Sequence, residues 1–234
     1  MLDYRAPKAW LLALALTLLL PAFAAAQLSI TRGSALTANA SADYRQPVDT
    51  RLSWSDRRPE PARVSSVSGH VTHVSGATGS RRPLAENTLV RVGDELLSGD
   101  GSAAITLADG SELRLSPDSR LMFNRMTTQS SGKTTDTRLR LHKGEVHSRV
   151  QPVAENGGRF EIETPSSVAA VRGTIFALQA NDTGSSVQVT EGAVDFGPSG
   201  NTREIPAGYG ASLSTGNSDN IRIRQLPPAP DLNT

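Results

Sequence analysis

The chain contains no cysteine in 234 residues. That excludes a disulfide framework, a thiolate metal site, an iron–sulfur cluster and a cysteine nucleophile. Aromatic residues are scarce at 4%, and without disulfides the fold must rest on a hydrophobic core alone. Charge of one sign is not in excess: Lys and Arg number 24 against 23 Asp and Glu. A balance this even gives no electrostatic support for a nucleic-acid binder. Long apolar runs are missing after residue 26, so the mature chain has no segment of the ~20 residues needed to span a bilayer.

The first 26 residues read as an address. Arg5 and Lys8 precede the apolar run 11–20, Pro21 ends it, and Ala24-Ala25-Ala26 supplies small residues. This order is that of a secretory signal peptide cleaved near Ala26/Gln27. The expected location is therefore the periplasm.

Residues 27–62 show little apolar periodicity and end in Asp56-Arg57-Arg58-Pro59-Glu60-Pro61. They read as a flexible lead and linker, with a degenerate module as the alternative. From 63 to 213 short Val-, Ile-, Leu- and Thr-rich stretches alternate with Gly, Asp, Asn, Ser and Pro, the pattern of an all-β sandwich or barrel. Residues 214–234 include Leu226-Pro227-Pro228-Ala229-Pro230 and read as a disordered tail.

One hairpin can be assigned in register. Pairing Ala103–Leu107 with Ser111–Leu115 through a two-residue turn would set charge opposite apolar residues. A three-residue loop, Ala108-Asp109-Gly110, instead pairs Ile105 with Leu113 and Ala103 with Leu115, and gives Gly110 the left-handed position.

An internal repeat is also present. Leu139–Val146 aligns with Val187–Val194, and Val67–Val71 is a weaker copy. The inward positions change parity at Gly144 and again at Gly192, which a uniform strand cannot do. A bulge or corner at each glycine can. Strands that turn corners predict a jelly-roll-like β-sandwich; a short β-solenoid is the alternative architecture, against which the irregular repeat spacing counts.

The search for chemistry gives little. His70 and His73 are three apart, which sends them to opposite faces of a strand. His142 and His147 are five apart, so no metal site is expected. No nucleophile elbow or phosphate loop occurs. Glu161 and Glu163 lie on one strand face, but their flanking apolar residues favour a plain polar-out strand. No catalytic residue and no cofactor are expected. Arg172, amid small and apolar residues, should be paired and should lock a corner at Gly173. Arg172 and Thr174 are also the candidate partner contacts.

Three stretches together resemble the FecR family: Val92-Gly93-Asp94-Glu95-Leu96-Leu97-Ser98-Gly99-Asp100-Gly101-Ser102 with the hairpin that follows; Leu141-His142-Lys143-Gly144-Glu145-Val146; and Thr164-Pro165 running to Val171-Arg172-Gly173-Thr174-Ile175-Phe176. The resemblance implies a periplasmic, β-rich domain. In the family's namesake that domain couples a ferric-citrate receptor to a cytoplasmic sigma factor. Here only about ten residues precede the apolar run, too few for a cytoplasmic anti-sigma segment, so the expectation is the free-standing secreted type. The function expected is non-enzymatic binding of another envelope protein or a cell-envelope polymer. A structural surface component is the alternative; an iron-uptake regulator and a carbohydrate-active enzyme rank behind it.

Overall fold

The computed structural model describes residues 57–129, 135–152, 158–216 and 220–227. The proposed leader at 1–26, most of the lead at 27–62 and the end of the tail lie outside them. The described residues form eighteen strands and no helix.

The organising unit is a strand bent between two sheets. β2 (Ala62–Ser68) lies in sheet II and continues past Gly69 as β3 (Val71–Val74) in sheet I. β6 (Glu95–Ser98) and β7 (Ser102–Thr106) are joined in the same way, as are β8 (Glu112–Leu115) and β9 (Arg120–Gln129). β10 (Thr135–Arg149) is unbroken: its first part pairs in sheet I and its last six residues pair in sheet II. Three more bent pairs follow: β12 (Val168–Val171) with β13 (Ile175–Asn181), β14 (Gly184–Glu191) with β15 (Ala193–Gly197), and β16 (Arg203–Pro206) with β17 (Tyr209–Ser214).

Short strands finish the sheets. β4 (Arg81–Pro83) borders β3, β5 (Leu89–Val90) borders β2, and β18 (Arg222–Gln225) borders β17. β1 (Arg57–Pro59) pairs with the far end of β9. β11 (Arg159–Glu163) enters sheet I between β10 and β12, and its pairing with β10 is the one parallel pair among the described strands. Sheet I therefore runs β4-β3-β6-β9-β10-β11-β12-β15-β16, and sheet II runs β5-β2-β7-β8-β10-β13-β14-β17-β18.

The core lies between these sheets. Four phenylalanines, Phe123, Phe160, Phe176 and Phe196, are fully buried with Leu96, Ile105, Leu113, Leu115, Leu121, Leu139, Leu141 and Ile162. Each such side chain contributes roughly 1.5–3 kcal/mol relative to exposure. The hairpin has the register that the sequence predicts: Ile105 opposes Leu113, Ala103 opposes Leu115, and Gly110 has φ +82°.

The parity changes are also present. Leu139 and Leu141 are buried before Gly144, and Val146 and Val150 after it. The extra residue is His142, where the register against β9 shifts. Val187 and Val189 precede Gly192, and Val194 and Phe196 follow it. Here the shift falls opposite Ile175 and Phe176. The fold is thus an all-β sandwich of corner-turning strands rather than a solenoid of regular coils.

The sheets reach beyond 63–213 at both ends, since β1 precedes that range and β18 follows it. Both are edge strands of three or four residues, RRP and RIRQ. β1 carries no apolar side chain beyond its proline, and in β18 only Ile223, next to buried Ile221, alternates with arginine, a pattern too short to read as a strand from sequence. The stretch 214–234 is accordingly not disordered throughout.

Candidate functional site

The bends line up in a seam along one edge of the sandwich. A Cβ on Gly69 (φ +68°) would meet the Gly101 backbone at 2.8 Å, and one on Gly144 (φ +91°) would overlap Ser119. Only hydrogen fits at these contacts, so the glycines serve close approach as well as turning. Serine and threonine hydroxyls stitch the seam. Ser98 Oγ donates to the Ser116 carbonyl at 2.6 Å and accepts from the Ser119 amide at 2.9 Å. Ser119 Oγ accepts from the Glu145 amide at 2.9 Å.

Thr174 belongs to this seam. It is 1% exposed, and its hydroxyl donates to the Ala193 carbonyl at 2.9 Å. It ties the bend after β12 to the bend before β15 and presents nothing outward. Arg172 is placed opposite to expectation: it is exposed, and among the described residues no hydrogen bond or ion pair holds it. The side chain that locks this corner is Thr174. The reason is geometric, because Gly173 (φ +73°) reverses the chain and sends its two neighbours to opposite sides.

Arg172 borders a concavity of about 610 Å³ on the outer face of sheet I. One row of register partners crosses that face: Arg125, Arg138, Glu161, Ala170, Asp195 and Glu204, on β9, β10, β11, β12, β15 and β16 in turn. Ala170 is the short member, and the hollow forms above it. On one side the charges are matched. Arg159 Nη2 lies 2.6 Å from Glu161 Oε1, Arg138 Nε lies 3.6 Å from Glu161 Oε2, and Arg125 Nη1 lies 3.0 Å from Asp136 Oδ2. On the other side they are not. Asp195 and Glu204 sit directly opposite each other, both exposed, with no ion pair among the described residues. Like charges directly opposite across a strand pair are destabilising.

The carboxylates singled out by the sequence, Glu161 and Glu163, do share this outer face. Each is faced by arginine; Glu163 lies 3.9 Å from Arg140 Nε. Both point to the outer face, as expected from their neighbours, but Glu161 is covered by its arginines and is only 7% exposed.

The histidines are dispersed, each beside a different carboxylate. His70 is exposed and bonds Asp100 at 2.9 Å, and His147 bonds Glu145 at 2.9 Å. His142 is half-buried beside the Arg120–Glu95 pair. Burial, and then the Arg120 guanidinium, lower its pKa. Among the described residues no three His, Asp or Glu side chains gather as metal ligands.

One buried polar cluster escaped sequence reasoning. His73 is 2% exposed, and its Nε2 lies 2.9 Å from Asp94 Oδ2. The same carboxylate accepts the Arg91 amide on Oδ2 and the Gly76 amide on Oδ1, each at 2.9 Å. Burial works to raise the Asp94 pKa, but these amides and His73 outweigh it and the net shift is downward. Asp94 thus clamps two loops. The signal was available: Val71 and His73 alternate on β3, so His73 had to point inward with Val71.

Residues 94–195 match the family model described as FecR protein. The segment from Asp94 to Asp195 is thus similar to the FecR family, the one that the sequence resembles. It contains Asp94 of the clamp, five of the bends and Arg172. No curated protein matches the chain. Among solved structures, two crystal structures of a candidate anti-sigma factor from Parabacteroides distasonis ATCC 8503, at 2.50 and 1.65 Å, align with a TM-score of 0.45. Identity is 17% and 18%, and the alignment covers 56% of this chain and 58% of each of theirs. The chain therefore spans less than two thirds of those structures.

Proposed function

We propose that this chain is a non-enzymatic binding domain of the FecR type, exported to the periplasm, that takes another envelope protein on the outer face of sheet I. The FecR match supports a role in regulation or signalling. The observation that carries the reading is the set of unmatched charges around Ala170. Arg172 offers a cation without an internal partner, and Asp195 with Glu204 maintains a repulsion that the fold does not need. A partner that lays a basic side chain over the two carboxylates and an acidic one on Arg172 would relieve both.

The test is site-specific photocrosslinking in cells from positions 170 and 172. The expected result is one discrete adduct, lost in Arg172→Glu and in the Asp195→Ala/Glu204→Ala double variant, with melting temperatures unchanged. Absence of an adduct in a folded, exported chain would refute the reading. Co-sedimentation with purified cell-wall sacculi that depends on the same residues would assign the face to an envelope polymer instead.

A further inference from the structure

The two ends of the row of bent strands are finished differently. At the first end β4 and β5 cover β3 and β2. β4 reads Arg81-Arg82-Pro83, all exposed, and charge with proline blunts an edge against further pairing. At the other end the sheets stop out of step. Sheet I ends at β16, whereas sheet II continues one strand further to β18.

Ile223 on β18 opposes Ala211, whose side chain is buried between the sheets. Ile223 therefore faces the inward side, yet it is 44% exposed, because sheet I has no strand there to cover it. Tyr209 on β17 shares that side and is 37% exposed. They are two of the three exposed large apolar side chains among the described residues; the third is Val92.

The backbone of β18 is also open. The Leu226 amide donates to the Gly208 carbonyl. Antiparallel alternation then directs the backbone groups of Arg222 and Arg224 toward β17, and those of Ile223 and Gln225 away from it. Among the described residues β18 is paired with β17 alone. Arg222 and Arg224 are exposed and make no ion pair among the described residues, and the same holds for Arg203 on β16.

We propose that this end of the sandwich accepts an extended acidic segment of another protein as an added strand on β18. The backbone of the segment pairs with Ile223 and Gln225. Its apolar side chains cover Ile223 and Tyr209 on the inward side, and its acidic side chains meet Arg222 and Arg224 on the other. This surface is separate from the Arg172 face, and either proposal stands without the other.

The probe is a blocked hexapeptide, Glu-Val-Glu-Val-Glu-Val, with a Lys-Val counterpart, added to the isotope-labelled full chain. The acidic peptide should slow amide exchange at Ile223 and Gln225 at least tenfold. Arg222→Glu/Arg224→Glu should weaken its binding by tenfold or more and favour the lysine peptide. Ile223→Pro, whose lost amide faces away from β17, should abolish protection while the melting temperature holds. Equal binding of the two peptides, or no protection at these amides, would overturn the proposal. So would amides already protected in a dimer that Ile223→Pro dissociates, since the occupant would then be a second copy.

Discussion

The hydroxyl of Ser119 occupies the space that a side chain on Gly144 would need. The same hydroxyl accepts the Glu145 amide one residue further on. The bend in β10 and the bend between β8 and β9 are thus one interlocked object. A left-handed φ costs an ordinary residue roughly 1–2 kcal/mol by itself. Gly208 has φ +81° with nothing within 4 Å of a Cβ, whereas Gly144 has φ +91° and a collision. Gly208→Ala should therefore cost about 1 kcal/mol and Gly144→Ala more than about 3 kcal/mol, read from urea unfolding midpoints. Equal losses would show that the seam yields.

The stitching hydroxyls give a second expectation. Thr174→Val keeps the shape but leaves the half-buried Ala193 carbonyl short of a donor. It should cost about 1–2 kcal/mol, whereas Arg172→Ala should lie within about 0.5 kcal/mol of the parent. Calorimetry on the two variants checks the reversal of the roles that the sequence suggested.

Acid sensitivity follows from Asp94. Its folded pKa lies below the ordinary value of 3.8, so in the interval between the two values the unfolded chain binds more protons than the folded one. The stabilisation is complete above the unfolded value and is lost as pH falls toward the folded one. Asp94→Asn should flatten the stability curve below about pH 4 and lower stability at neutral pH. Urea unfolding from pH 2.5 to 7 reads both. An unchanged acid limb would remove Asp94 from the account.

The two sides of the charged face should respond with opposite sign. Glu161→Ala removes a buried carboxylate from Arg159 and Arg138, but Arg159 is half-exposed and Arg138 keeps Asp136 at 3.4 Å, so the loss should be about 0.5–1.5 kcal/mol. Asp195→Ala removes a repulsion and should be neutral, or stabilising by up to about 0.5 kcal/mol. A large loss from Asp195→Ala would reveal a structural partner for it and take away the ground for a binding face.

Much of the architecture was legible because it is local. The Ala103–Leu115 hairpin follows from alternation and one glycine, and the bends at Gly144 and Gly192 follow from a parity change that only an extra residue can produce. What was hidden depends on distant neighbours. No pattern in Arg159–Glu163 shows that β11 inserts parallel to β10, because its partner lies across the loop. Arg172 looked buried because its sequence neighbours are apolar, yet those neighbours turn inward and it turns outward. The His73–Asp94 pair spans 21 residues, and each member alone resembles an ordinary strand or turn residue. β1 is too short and polar to announce itself, and the Ile221-Arg222-Ile223-Arg224 alternation that becomes β18 is too short to be told from a turn or tail.

Seven of the strand paths described above run through both sheets. The two layers are therefore tethered by covalent backbone at every bend, and delamination would require the chain itself to straighten. Many domains of other designs rely on cystine cross-links to hold their layers together. A cysteine-free chain crossing repeatedly between its faces achieves that hold without dependence on the redox state of its surroundings.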